Sequence, residues 1–194
     1  MPVNASLFLW GGPGHSRIIR TMRPGRQLFS LLAWLFLTAC TPALDWREVR
    51  PPGGGFVVLL PHKPAQSERR LVTPAGSVLM RMVAARTGEH LLGVGFADFP
   101  APLDAPLLDA LRDALLANIN GQVTNEREIT AAGMRGREFS AKGTLGRGTE
   151  ARTGLLQARL LVRGQRYFQL VSLGGAGSMQ QADIEFFLAS LKLE

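Results

Sequence analysis

The hydrophobic positions of this chain follow three rhythms, and each predicts a different kind of element. The first is unbroken: Leu28 to Leu37 is apolar apart from Ser30, with Arg20, Arg23 and Arg26 just before it and no acidic residue nearby. A run of ten residues is too short for a bilayer span, which takes roughly 20 at the helical rise. A basic stretch followed by such a run has the layout of a secretory signal. The alternative topology is an uncleaved apolar anchor.

The second rhythm is alternation. Phe56 to Leu60 is a short run rich in β-formers, stopped by Pro61 and Pro64, and predicts a first buried strand, with Ser67 to Thr73 beside it. From Ser77 to Ala85, Val78, Met80, Met82 and Ala84 share one face and Leu79, Arg81 and Val83 the other. The chain then turns through Arg86 to Glu89 and returns from His90 to Phe96 as a hairpin. Further strands are predicted at Gln122 to Thr130 and Met134 to Lys142, joined through Ala131-Ala132-Gly133, with a glycine-punctuated turn over Gly143 to Gly148. Leu156, Ala158, Leu160 and Val162 alternate with Gln157, Arg159 and Arg163, one face for a core and one for water. Gly164-Gln165, with glycine first, suits a type II′ turn into a strand from Arg166 to Leu173.

The third rhythm has steps of three and four. Asp104 caps a predicted helix with Pro106 in its first turn and an apolar stripe of Leu107, Leu108, Leu111, Leu115 and Ile119, closed by Gly121 in the left-handed region. Ser178 and Gln181 have the spacing of a capping box. Ile184, Phe187, Leu188 and Leu191 then form a stripe that predicts a closing amphipathic helix. Strands, helix, strands, helix with hairpin-length links define an α+β fold, an antiparallel sheet with two amphipathic helices packed on it, as one domain over residues 56–194. Residues 40–55, with Pro42, Pro51, Pro52 and three consecutive glycines, read as a flexible tether in which Trp46 docks on the domain or on a headgroup region.

Composition changes this picture in two places. Residues 1–39 hold Arg17, Arg20, Arg23 and Arg26 and no Asp or Glu, so removing them lowers the net charge from +7 to +3. The basic character belongs partly to the leader and argues weakly for a nucleic-acid partner. Cys40 is the only cysteine, which excludes an internal disulfide or a thiolate metal cluster. Met22 by itself opens a signal of ordinary proportions. Residues 1–21 therefore read as lying upstream of the true start, or else as a cytoplasmic extension.

Leu37-Thr38-Ala39-Cys40 resembles the lipobox of bacterial lipoproteins. The resemblance implies cleavage between Ala39 and Cys40 and acylation of Cys40. The protein would then be held on a membrane of the cell envelope, facing the periplasm or exterior. Two or three acyl chains, at about 0.8 kcal/mol per buried methylene, hold a domain where one chain gives only transient binding. The phrases FVVLLP, GFADFP, GREF and FFLASLKL resemble the PsbP-like fold, an α/β/α sandwich found in photosystem II extrinsic proteins and in bacterial lipoproteins. That resemblance implies a fold, and members that mostly bind or assemble rather than catalyse.

The search for chemistry is short. After residue 39 the histidines are His62 and His90, and neither accompanies a nucleophile elbow. Asp98, Asp104 and Asp109 lack the dense ligand alternation of a calcium loop. No glycine-rich phosphate motif is present. No cofactor, metal or nucleic-acid partner is expected. Two functions from different classes follow: a non-catalytic binding or assembly module, or an envelope hydrolase or ligand-processing enzyme built from scattered residues such as His90, Asp98 and Glu138. Arg135, Arg137, Arg159 and Arg163 form a candidate anion-binding face, for a lipid headgroup, a cell-wall polymer or an acidic envelope protein. Glu126, Glu128 and Glu138 are interspersed, the usual sign of a mixed-charge solvated surface.

The lipobox reading is checked by intact mass and acyl labelling in the native host. Cys40→Ser is expected to abolish labelling and to leave the precursor uncut, and an unmodified wild-type cysteine ends the reading.

Overall fold

A computed structural model describes residues 44–73 and 76–194. The leader, Met22, Ala39 and Cys40 lie outside the described residues. The main element is a seven-stranded sheet of order β3-β4-β5-β9-β8-β7-β6. Its strands are β3 (Ala65–Thr73), β4 (Gly76–Thr87), β5 (His90–Asp98), β6 (Gln122–Ala131), β7 (Met134–Leu145), β8 (Arg152–Arg163) and β9 (Arg166–Gly175). Every neighbouring pair is antiparallel. For β4-β5, β6-β7 and β8-β9 this follows from the links: Gly88-Glu89, Ala132-Gly133 and Gly164-Gln165 are two-residue connections, and Ala132 and Gly133 both take positive φ (51° and 71°), as a type I′ turn requires.

One face of the sheet is covered by α1 (Ala105–Ala117). Asp104 is its N-cap and accepts from the Leu107 amide at 3.0 Å, and Pro106 lies in the first turn, where its missing N–H costs nothing. Leu107, Leu108 and Leu111 point into a core with Phe99, Phe139, Leu160 and Tyr167. The opposite face carries α2 (Gln181–Ala189) and a small sheet of β1 (Trp46–Val49), β2 (Phe56–Pro61) and β10 (Lys192–Leu193). Ile184, Phe187 and Leu188 pack there with Phe56, Phe96 and Phe168, and Phe56 meets both of those rings edge-on at 5.3 and 5.4 Å. The α+β class with two helices on an antiparallel sheet is thus observed, with both sheet faces buried against other elements.

Five local expectations are corrected. Residues 44–55 are no tether: β1 pairs antiparallel with β2 from Trp46↔Pro61 to Val49↔Val58, and Leu44 is buried. The glycines after it are pinned by the Arg166 guanidinium, which donates to the Gly53 carbonyl at 2.6 Å, and by the Glu194 amide on the Gly55 carbonyl at 3.1 Å. The left-handed residue after α1 is Asn120 (φ 47°) rather than Gly121. Asn tolerates this region, and the Gly121 amide returns to the Leu116 carbonyl at 2.8 Å. Residues 143–145 continue β7, because Gly143, Thr144 and Leu145 keep pairing with β8. Gln180, not Ser178, is the N-cap of α2, and it makes no side-chain cap bond. The chain ends in β10, paired with β2 at Lys192↔Val57, rather than in the helix.

The face of β8 assigned to water also needs correction, since Gln157 and Arg159 are half-buried beneath the α2 layer. Alternation places Leu156, Ala158, Leu160 and Val162 in the α1 core as expected, but their neighbours meet a second layer instead of solvent.

Leu111 is 5% exposed at the centre of the α1 stripe. Leu111→Ala is expected to cost about 2–5 kcal/mol in denaturant unfolding, as large-to-small core changes do. A near-neutral result would mean that α1 does not pack as described.

Candidate functional site

The four arginines of the expected anion face do not share a face. Register pairs Arg137 with Leu160 and Glu138 with Arg159, and Arg135 with Val162. Paired residues point the same way, so Arg135 and Arg137 lie on the α1 side while Arg159 and Arg163 lie on the α2 side. Two of the four are also already committed. Arg137 ion-pairs with Asp109 of α1 and with Glu126 of β6 at 3.3 Å, and Arg112 of α1 reaches Glu126 at 3.0 Å. Arg159 donates to Glu138 at 2.5 Å and to the Leu188 carbonyl at 2.9 Å, serving the open carbonyls at the end of α2. Arg127, Glu138 and Arg159 form one cross-strand row over β6, β7 and β8. Burial alone would raise the Glu138 carboxyl, but hydrogen bonds from Arg159 and Arg127 overturn that and hold it below its ordinary value. These residues staple the helices to the sheet, a role that the sequence pattern of mixed charge could not separate from a solvated face. Arg135 and Arg163 are exposed.

His90, Asp98 and Glu138 are likewise not gathered. His90 and Asp98 are the two ends of β5, eight residues or roughly 27 Å apart along the strand. Glu138 sits in the cross-strand row of Arg159, Leu170 and Val94, midway between those ends. Asp104 and Asp109 are accounted for as a cap and an ion-pair partner. Among the described residues, no three His, Cys, Asp or Glu side chains are placed to hold a metal, and no helix is long and apolar enough to cross a membrane.

His90 instead sits in a closed polar nest, 3% exposed. Its Nδ1 is 2.8 Å from Ser178 Oγ and its Nε2 is 2.8 Å from Ser172 Oγ. Ser178 Oγ donates to the Gly175 carbonyl at 2.7 Å, so it accepts from Nδ1–H, and Nε2 accepts the Ser172 proton. Gly174 closes the nest, since a Cβ there would stand 2.2 Å from Nδ1. Ser172, the one hydroxyl aimed at a basic nitrogen, is itself buried. The nest fastens β5 to β9 and to the loop before α2.

An apolar groove of about 230 Å³ lies between the end of α1 and the sheet. Its floor is the cross-strand row set by register: Ala84, Gly93 and Val171 at one level, Met82, Gly95 and Gln169 at the next, with Leu91 and Leu173 below. Leu115 and Ile119 form the helix wall, and Arg69, Ser67, Asn118 and Gln169 the rim. Geometry explains the gap. Six inter-strand spacings of about 4.8 Å make a sheet roughly 29 Å wide, whereas α1, with 13 residues, is about 20 Å long. The helix cannot cover both halves, and its ion pairs hold it to Glu126 of β6 and Arg137 of β7. Gly93 and Gly95 deepen the bare half, because a Cβ at Gly95 would press on Gln169 at 3.0 Å and Met80 at 3.1 Å. Among the described residues no carboxylate pairs with Arg69.

Two larger clefts have more polar walls. One, of about 520 Å³, lies between Pro51–Gly53 and the β3–β4 hairpin and is bridged by the Glu68–Arg81 pair; the other, of about 350 Å³, lies at the start of α1. The groove could not be read from sequence, because its residues come from β3, β4, β5, β8, β9 and α1 and meet only through the sheet order. The signal present was two glycines spaced by two, Gly93 and Gly95, within an otherwise apolar strand.

No family model matches the sequence, and no curated protein matches it. Among solved structures, the chain is similar to the solution structure of cyanobacterial PsbP (CyanoP) from Synechocystis sp. PCC 6803. That likeness has 12% identity and a TM-score of 0.49, over 81% of this chain and 99% of that one. It is also similar to a crystal structure from Bacteroides thetaiotaomicron VPI-5482, at 12% identity and a TM-score of 0.44 over 78% of this chain. The chain spans 49% of that protein's length. With both TM-scores under 0.5, the fold class stands on the chain's own sheet order.

Burial lowers the His90 imidazole below its ordinary value of 6.5. The unfolded chain therefore binds the proton more tightly. The nest's contribution is complete above about pH 6.5 and is lost as pH falls from there towards the folded value. His90→Leu is expected to be less stable at every pH, because two seryl groups lose their partner, yet flatter as pH falls below about 6.5 in urea unfolding. An equal slope in both proteins would remove His90 as the origin.

Proposed function

We propose that the chain is a lipid-anchored module of the bacterial cell envelope, attached through Cys40 and facing the periplasm or exterior, that binds a ligand rather than transforming it. The anchoring rests on the lipobox Leu37 to Cys40 behind its short apolar run. The binding role is carried by one observation, the apolar groove over Ala84, Gly93 and Gly95 with Arg69 at its rim. An apolar cavity with a few convergent polar groups is the usual form of a small-molecule site. Its chemistry suits a single-tailed amphiphile, with the aliphatic part on the glycine floor and an acidic head at Arg69. A hydrolytic reading draws no support from His90, Asp98 and Glu138, which stand at different levels of the sheet. Nothing in the chain favours a nucleic acid, and the split of the arginines removes the single face that an anionic polymer would need.

The test is titration of the protein with a fluorescent medium-chain fatty acid. Saturable binding is expected. Ala84→Phe, which fills the floor, should abolish it, and Arg69→Ala should weaken it by up to about fivefold, the scale of one exposed charge contact at about 1 kcal/mol. Binding that survives Ala84→Phe unchanged would place the ligand elsewhere.

A further inference from the structure

We infer that the domain lies directly on the bilayer through a patch formed by Trp46 and Phe186, with the ligand groove turned away from the membrane. This rests on the lipid-anchored reading above and adds an orientation to it. The first observation is the length of the leash. Because Leu44 is buried and β1 begins at Trp46, only the four steps from Cys40 to Leu44 separate the acylated residue from the folded domain. At 3.3–3.6 Å per residue that is at most about 14 Å, whereas a leash up to Gly55 would have reached several times as far. The headgroups extend roughly 5–8 Å beyond the hydrocarbon on each side, so even a fully extended leash keeps the domain within about 6–9 Å of their outer edge. The surface around the point of attachment is therefore the one held next to them.

The second observation is what that surface carries. The Trp46 amide donates to the Leu44 carbonyl at 3.1 Å, in the turn with which the folded domain begins. The Trp46 ring meets Phe186 edge-on at 5.1 Å, and Phe186 is 47% exposed although it stands on a helix whose other aromatic, Phe187, is fully buried. An exposed phenyl beside an indole is costly in water and suits the interfacial zone, where Trp is enriched. The nearby basic groups are already paired: Arg47 with Asp45, and Arg50 with both Glu48 and Glu194, which leaves one carboxylate in excess and no free cation among them. The contact is therefore apolar and short-ranged, and does not depend on anionic lipid. It belongs to the α2 layer, on the face of the main sheet opposite the groove.

The chain provides its own reporter. Its three tryptophans are Trp10, Trp34 and Trp46, and cleavage before Cys40 leaves Trp46 alone. The processed, acylated protein is reconstituted into phosphatidylcholine vesicles with and without brominated acyl chains, and its mass and sedimentation are checked on the same sample. The expected result is a loss of Trp46 emission in the brominated vesicles that is unchanged by added salt and reduced in Phe186→Asp. An acylated protein that sediments with the vesicles but shows equal emission in both would overturn the docked orientation and leave the anchoring intact. A protein without acyl mass that stays in solution would overturn both.

Discussion

A seven-stranded sheet that is apolar on both faces needs more cover than two short helices provide, and the other features of this domain follow from how that cover is found. Neither helix spans the sheet. On one side the shortfall is met by the β1-β2-β10 sheet, so that Phe56, Val58 and Leu60 of β2 complete what α2 begins. On the other side α1 has no such companion. The half of the face over β4, β5 and β9 stays half-buried at Ala84, Leu91, Gly93, Val171 and Leu173. An unfilled area of this kind loses dispersion contacts and is costly unless something occupies it. The groove is thus a consequence of unequal covering, and its glycines keep it open where larger residues would close it.

Charge secures the cover. The two helices contribute few anchoring side chains of their own, and the sheet reaches up to hold them. Arg137 and Glu126 take Asp109 and Arg112 of α1, while Arg159 takes the end of α2. Partly buried pairs in a network resist salt better than isolated surface pairs, which contribute little. The arginines that looked like a binding surface are therefore the means by which the layers keep their places. Their commitment leaves Arg69, at the groove, and the exposed Arg135 and Arg163 outside this network.

What could be read from the sequence divides along physical lines. Strands and hairpins were legible because period-two alternation and two-residue turns are local signals, and α1 was legible from Asp104, Pro106 and a leucine stripe. Ser178 was misread because its spacing to Gln181 imitates a cap, while the hydroxyl is in fact drawn to His90, 88 residues away. Trp46 to Val49 looked like tether because a four-residue edge strand between prolines and glycines has no periodicity to show. The arginine face failed for a reason of register: Arg137 and Arg159 each alternate correctly within their own strands, but only the pairing of Glu138 with Arg159 reveals that they point in opposite directions. The groove, drawn from six elements, lay beyond any local pattern.

The correction at β1 has the widest reach, since it changes what kind of object a lipid on Cys40 would tether. With a leash of some fifteen residues, the domain would sample the space above a membrane in every orientation, and nothing about its surface would indicate which side met lipid. Folding β1 against β2 removes most of that freedom. The same strand that shortens the leash places Trp46 at its root and presses it against Phe186. A groove on the far side of the main sheet would then open to the aqueous compartment. A ligand would arrive from solution or from a partner rather than by lateral diffusion out of the bilayer. On the proposed reading, a module of that form would suit carrying or sensing an amphiphile in transit, because an anchor on the β1 side and a ligand in the groove would be held apart by the full thickness of the sheet.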